Sequence, residues 1–429
     1  MDCTNVDKTR VYIERSRSSP LAACLKDVGG TIRWEEAFLL VVPHICRLKK
    51  LSVSSASTRV IPVLVKHFSY RLPLLHNLTI KIASNEFSPL PDELFSGDLS
   101  PLRELSLAGV FTSLPRKEMP NITTFTLCDI PKDRFPLTRL LDFFESAPYI
   151  RYIDLRNSVP SSSDAPAERV VSLPHLKKLK ITAQPRHATL LNHISIPAGA
   201  SLTLGFSFSG MESPIPSYLP GSSDGLLNLS DITSINLCFG PDRRLLQLSG
   251  PSGELQVLGH WSRGRDKPEV GVSPFVRSLS QFYLSGSRRL AIQRYHVGPP
   301  TAQSITKGCV YPTPCSMKNL YSPTLVYCKN LAFILTLNPK KNSATIVLCP
   351  KLKEITLYIE GPDDLQIDEL LEMAEERASR GAKLSTMTIV STALAPTKAV
   401  FQLRKHVSRV ECKFEDVPPE WNALPAQVM

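Results

Sequence analysis

The sequence predicts an α/β protein built by repetition, a curved parallel sheet with helices and loops on its outer side. Three observations predict it. An aliphatic pattern, L-x-x-L-x-L, returns along most of the 429 residues. Proline stands before many of its copies. Between copies, two segments switch to the period of an amphipathic helix. Six good copies run Leu48/Leu51/Val53, Leu75/Leu78/Ile80, Leu102/Leu105/Leu107, Ile122/Phe125/Leu127, Ile150/Ile153/Leu155 and Leu176/Leu179/Ile181. Their first residues lie 27, 27, 20, 28 and 26 apart. Those steps match the roughly 20–29-residue period of leucine-rich repeats. The fold class is therefore an irregular leucine-rich-repeat solenoid.

Each part of the pattern has a physical reason. In a strand, alternate side chains share a face. Positions four and six of the motif point inward together and position five points out. Position one enters the core from the turn before. Three buried aliphatics contribute about 1.5–3 kcal/mol each, whereas ordering a repeat costs about 1–2 kcal/mol per residue in backbone entropy. One copy cannot fold alone, but stacked copies share a continuous core. Proline lies two places before position one at Pro73, Pro120, Pro148, Pro174 and Pro350. It cannot continue a helix and extends the residue before it, so it separates each return segment from the next strand.

Later copies are looser. Gly199/Leu202/Leu204 is degenerate, Ile232/Ile235/Leu237 is good, and Ser287/Leu290/Ile292 and Leu320/Pro323/Leu325 are weak. Pro323 conflicts with a central strand position. Leu352/Ile355/Leu357, Leu384/Met387/Ile389 and Val407/Val410/Cys412 close the series. Leu137, Leu140, Leu141 and Phe144 form one helical face that Pro148 ends. Ile367, Leu370, Leu371 and Ala374 form another, starting near Asp363-Asp364. Asp368 and Glu369 early, Arg377 and Arg380 late, and Gly381 as cap suit the helix dipole and the left-handed C-cap. The return at 84–97 reads as irregular. Residues 206–231 read as a Ser/Pro/Gly-rich surface loop. Residues 244–248 and 254–258 flank Gly250-Pro251-Ser252-Gly253 as a hairpin, so a β-meander is expected there. The organisation is then a capping segment at 1–47, a solenoid at 48–416 with a loop and meander insertion at 206–285, and a tail at 417–429.

Composition bounds the function. At 42% hydrophobic and 21% charged, the chain is neither disordered, collagenous nor coiled coil. Fifty basic against 39 acidic residues give +11, a mild pull toward anionic partners. The N-terminus, MDCTNVDKTR, is polar and has no apolar core segment, so no secretory signal is expected. The apolar runs at 38–42 and 331–335 fall short of the ~20 residues that span a bilayer. A cytoplasmic or nuclear protein without membrane contact, acting as a monomer, is expected. Its ten cysteines are then reduced.

Candidate chemistry is thin. Cys309, Cys315, Cys328 and Cys349 lack the tight pairs of a zinc site, and His187 and His193 are wrongly spaced for one helical face. No metal or cofactor is expected. Cys128, Cys238 and Cys412 read as core filler. Ser207 and Ser252 sit in near misses to G-x-S-x-G, but neither lies between a strand and a helix. No catalytic residue is assigned and no enzyme is expected. The surface that remains is geometric. Position five of each copy lines the inner, concave side: Ser52, Thr79, Ser106, Thr126, Asp154, Lys180, Thr203, Asn236, Ala291, Thr324, Thr356, Thr388 and Glu411. Asp154 and Lys180, on neighbouring copies, are the most specific contacts expected there. An alternative function uses basic pairs such as Lys49-Lys50 and Lys177-Lys178 to bind nucleic acid or other polyanions. No aromatic residue interleaves with those pairs, so nucleic acid is the lesser expectation.

The segments YIERSRSSPLAACL (12–25), LPLLHNLTI (72–80), LSPLRELSLAGV (99–110), ITSINLCFG (232–240), LGHW (258–261) and PPEWNALP (418–425) together resemble the leucine-rich-repeat portion of fungal F-box proteins. The resemblance implies a protein substrate held by the repeats and an F-box docked on a cullin-type ubiquitin ligase. The F-box itself is expected to be missing. Leu90–Phe95 and His44–Leu48 imitate its two ends without room for its helices. A ligase adaptor is expected as partner only where an F-box is supplied. The asparagine ladder of such repeats is also replaced, by Val110, Ile130 and Ser158.

Overall fold

The aliphatic rows of the sequence become strands of a large, mostly parallel sheet, and the helices are few. The protein's computed structural model describes residues 5–27, 33–58, 60–68, 72–83, 88–90, 100–112, 119–130, 136–159, 165–166, 168–183, 188–208, 225–239, 243–261, 289–294, 322–326, 352–359, 367–391 and 397–414. The chain groups into two compact units, Met1–Phe206 with Pro216–Asn228, and Ser207–Ile215 with Leu229–Met429.

The first unit opens with α1 (Val6–Ser16), β1 (Leu21–Asp27), α2 (Arg33–Val41), a 3-10 segment (Val42–Arg47), β2 (Leu48–Ser55) and α3 (Val60–Phe68). It continues with β3 (Asn77–Ile82), β4 (Ser88–Leu90), β5 (Glu104–Ala108), β6 (Val110–Thr112), β7 (Thr124–Cys128) and α4 (Leu137–Ser146). Then come β8 (Tyr152–Arg156), β9 (Val171–Ser172), β10 (Lys178–Ala183), α5 (Ala188–Leu191), β11 (Ile194–Ser195) and β12 (Ser201–Phe208). The long strands lie in the order β1-β2-β3-β5-β7-β8-β10-β12, and every pair is parallel. Two short parallel pairs, β4 with β6 and β9 with β11, form beside them.

Register follows the motif. Leu51, Leu78, Leu105, Phe125, Ile153 and Leu179 face one another in turn, and so do Val53, Ile80, Leu107, Leu127, Leu155 and Ile181. All of these, and the six position-one residues from Leu48 to Leu176, are at most 3% exposed. A one-residue slip would turn every such row toward water, so burial fixes the pairing. Helix α4 closes the core over β7. Its Phe143 ring lies 4.5 Å from Phe125, and Phe144 meets Phe125 edge-on at 6.3 Å.

Strands β5, β7 and β8 leave the sheet by a shared bend. Gly109, Asp129 and Asn157 hold φ of 66°, 55° and 51°. Each donates its amide to the last rungs of the following strand: Gly109 to the Cys128 carbonyl, Asp129 to Arg156 and Asn157 to Thr182. Glycine, aspartate and asparagine are the residues that tolerate this left-handed backbone. The Asn157 side chain also donates to Asp129 at 2.9 Å. Val110, Ile130 and Ser158 in the replaced ladder are all buried. Ser158 keeps a fragment of the ladder: its hydroxyl accepts from the Ile130 amide at 3.2 Å and donates to the Arg156 carbonyl at 2.7 Å.

The second unit holds β13 (Ser234–Phe239), β14 (Arg243–Gly250), β15 (Gly253–Trp261), β16 (Arg289–Arg294), β17 (Ser322–Val326) and β18 (Glu354–Ile359). After these come α6 (Ile367–Ser379), β19 (Thr386–Ser391), α7 (Thr397–His406) and β20 (Arg409–Phe414). The order is β15-β14-β13-β16-β17-β18-β19-β20. Strands β13 to β15 form the antiparallel meander, turning at Pro251-Ser252. The others pair in parallel, with Leu290 opposite both Ile235 and Pro323.

Several expectations need correction. The segment at 1–47 contains a sheet strand, β1, in the register of the repeats: Ala23, Cys24 and Leu25 stand opposite Leu51, Ser52 and Val53. Within the return at 84–97, Ser88–Leu90 is a strand. The buried face of α6 is Leu370, Met373, Ala374 and Arg377, with Leu371 only half-buried. Arg377, one of the basic residues late in the helix, is fully buried. Cys128 is half-buried on the polar face, and Cys412, on the last strand in the order, is exposed. The side chain of Cys238, the helix start at 363–366, the cysteines at 309–349 and the tail at 417–429 lie outside the described residues.

Two outcomes test this packing. Phe143→Ala should cost about 3–5 kcal/mol, read from urea unfolding. A Cβ on Gly109 would sit 1.9 Å from the Ile82 carbonyl oxygen, whereas one on Gly199, also left-handed, would meet nothing within 4 Å. Gly109→Ala should therefore destabilise the protein several-fold more than Gly199→Ala, which should cost about 1 kcal/mol.

Candidate functional site

Position five forms a continuous row in each unit. In the first, Cys24, Ser52, Thr79, Ser106, Thr126, Asp154, Lys180 and Thr203 stand opposite one another strand by strand. In the second, Asn236, Ala291, Thr324, Thr356, Thr388 and Glu411 do the same. The side chains of Asn236, Ala291 and Thr324 lie outside the described residues. Ser52, Thr79, Ser106 and Thr126 are half-buried, as are Thr356 and Thr388. Each hydroxyl can donate and accept, so the row offers hydrogen bonds without a charge to desolvate. Thr203 is buried and does not present its hydroxyl with the rest.

Two of the three charged members are paired within their own strands. Asp154 does not stand open beside Lys180. It is held by Arg156, two residues along the same strand, whose Nε and Nη2 donate to its carboxylate at 3.0 and 2.6 Å. That hydrogen bond, reinforced by charge, raises the Arg156 pKa. Glu411 is likewise paired with Arg409, at 2.5 Å. Both acids in the rows are thus neutralised locally. The signal was available: residues two apart on a strand share a face, so D-x-R at 154–156 and R-x-E at 409–411 place the partners together. Lys180 makes no ion pair among the described residues and is the one uncompensated charge of the first row.

Position seven adds Cys128, whose register neighbours are Ala108 and Arg156. Burial pushes its thiol above the ordinary cysteine range, with Arg156 pulling the other way. Among the described residues, no three His, Cys, Asp or Glu side chains gather as a metal would require. His193 is buried, with Nδ1 2.8 Å from the Arg169 carbonyl oxygen. Ser252 sits in the hairpin turn. Its hydroxyl donates to Asp231 at 2.9 Å and receives a bond from Ser230 at 3.3 Å. Ser207 lies within β12. No described helix is long and apolar enough to cross a membrane. No protein-family model matches the chain, and no curated protein matches it in sequence.

Two predictions follow from the polar face. Asp154→Asn removes an ion pair whose members are partly solvated, so stability should change by less than about 1 kcal/mol in urea unfolding. Cys128 should react with iodoacetamide at mildly alkaline pH more slowly than a free peptide thiol, because less of it is thiolate. Peptide mapping in buffer and in denaturant reads the difference, and unfolding should abolish it.

Proposed function

We propose that the chain is a non-catalytic scaffold that recognises another polypeptide. In this reading the parallel rows are leucine-rich repeats of a solenoid, similar to the substrate-holding portion of fungal F-box proteins, and position five lines its concave face. One observation carries the reading. The motif positions that should be buried are buried in register, while the position between them repeats as half-buried hydroxyls across neighbouring strands. A rigid sheet bearing adaptable hydrogen-bonding groups suits the binding of a protein surface more than the activation of a small substrate. Such a protein works in the cytoplasm or nucleus, and joins a ligase through an adaptor only with an F-box in place.

Affinity purification from the source cells tests this. The native chain should retain a discrete polypeptide that is lost when Thr79, Ser106 and Thr126 are all changed to Arg, with the melting temperature unchanged. Retention by both forms places recognition elsewhere. Recovery of a ligase adaptor and cullin with the native chain would add the degradation role; their absence would remove it.

A further inference from the structure

Where the strands of the first unit begin, the register assembles a strip that no stretch of sequence contains. Lys49, Arg103, Arg151 and Lys177 occupy position two of their copies, and Lys50 and Lys178 occupy position three. The backbone ties this edge together. The His76 amide donates to the Lys49 carbonyl, Arg103 to His76, Thr123 to Arg103, Arg151 to Thr123 and Lys177 to Arg151. At about 4.8 Å per strand, the strip from β2 to β10 extends roughly 24 Å.

All six cations are exposed. None makes an ion pair or a side-chain hydrogen bond among the described residues. The one acid in the strip, Glu104, accepts a hydrogen bond from Asn77. The field is felt locally: partial burial, then the charges of Arg103 and Lys49, hold His76 below the ordinary histidine range.

Exposed rings lie among these charges. Tyr152 stands directly opposite Lys178 in register. Tyr149, just before Arg151, lies against His175, just before Lys177, with ring centroids 5.2 Å apart. Tyr149 is 53% exposed and Tyr152 45%. The basic pairs lack aromatic neighbours along the sequence, but the fold brings them from the adjacent repeat.

We infer that this strip binds single-stranded nucleic acid, the cations taking phosphates and Tyr149 and Tyr152 stacking on bases. Unpaired cations release counterions when they meet phosphates. Open ring faces stack on bases that a duplex would keep covered, and this pairing of groups is how single strands are held without sequence preference. An acidic protein surface fits less well. Four of the six cations are lysines, a residue depleted at protein interfaces. The site is separate from the position-five row and does not depend on the protein-recognition reading.

Fluorescence anisotropy of the full chain with a labelled oligouridylate of about 12 nucleotides tests it, across roughly 50–200 mM salt. Binding should weaken linearly on a log–log salt plot. Changing Arg151, Lys177 and Lys178 together to Gln should reduce that slope by about two, at ~0.7 per phosphate lost. Tyr149→Ala and Tyr152→Ala should each weaken binding by at least about fivefold with the slope unchanged. Lys353→Gln with Lys383→Gln, in the second unit, should change nothing. All variants replace exposed side chains, and unchanged melting temperatures confirm their folds. No binding at the lowest salt overturns the proposal. So does equal binding of a duplex with indifference to the tyrosines, which is charge attraction alone. Tighter binding of a polyglutamate peptide than of the oligonucleotide overturns it in favour of an acidic polypeptide.

Discussion

The register of the parallel ladder is the constraint on which the rest depends. A single strand with three apolar side chains does not bury enough to order the residues around it. It becomes stable only when its Leu, Ile, Val or Phe meets the same position on both neighbours. That requirement explains why Leu51, Leu78, Leu105, Phe125, Ile153 and Leu179 align without a break. It also explains why no return segment needs to resemble another. The core is specified by three positions per copy, and the residues between copies only have to bring the chain back.

The shared strand exit is what makes variable returns possible. Gly109, Asp129 and Asn157 turn the backbone the same way and hand each amide to the next strand. Beyond that point the chain is free. After β5 it forms the short strand β6, whereas after β7 it forms helix α4, which supplies Phe143 and Phe144 to the core. The copies can therefore be 20 or 28 residues apart and still start and end their strands at matching heights. Ser158 shows the economy of the arrangement: one hydroxyl satisfies a buried amide of its neighbour and a carbonyl of its own strand.

Much of this was legible in the sequence, and the parts that were not have identifiable causes. Period-two patterning located β2, β3, β5, β7, β8, β10 and the hairpin, because burial there depends on side chains two apart. The face of α4 was legible because its apolar residues form an uninterrupted helical stripe. Strand β1 was missed because Ala23 stands where the motif has leucine and a register shift at Leu21/Ala22 breaks the spacing. In α6 the apolar stripe was legible at Leu370 and Ala374, whereas the burial of Met373 and Arg377 beside it was not, because a late arginine also suits a solvated helix end. The left-handed exits could have been read from G, D and N two residues past position six at 109, 129 and 157. The position-five row was legible residue by residue. The capture of Asp154 by Arg156 is set along the strand, by the D-x-R spacing, and not by the neighbouring copy.

Features assembled across strands are the hardest to read, and they explain why the two polar regions of the first unit differ. Along the middle of the strands, side chains are crowded by neighbours on both sides. Charge there is costly unless paired, and the row is hydroxyl-rich with Asp154 neutralised by Arg156 and Lys180 its one unpaired charge among the described residues. At the strand starts the chain has just left a turn, and side chains reach water freely. Lysine and arginine accumulate there without ion pairs among the described residues, since their heads stay hydrated while their stems lie along the sheet. The same geometry that keeps charge sparse in one region permits a run of cations about two residues away. A surface with a low-charge middle and a cationic margin follows from the ladder itself, before any partner is considered.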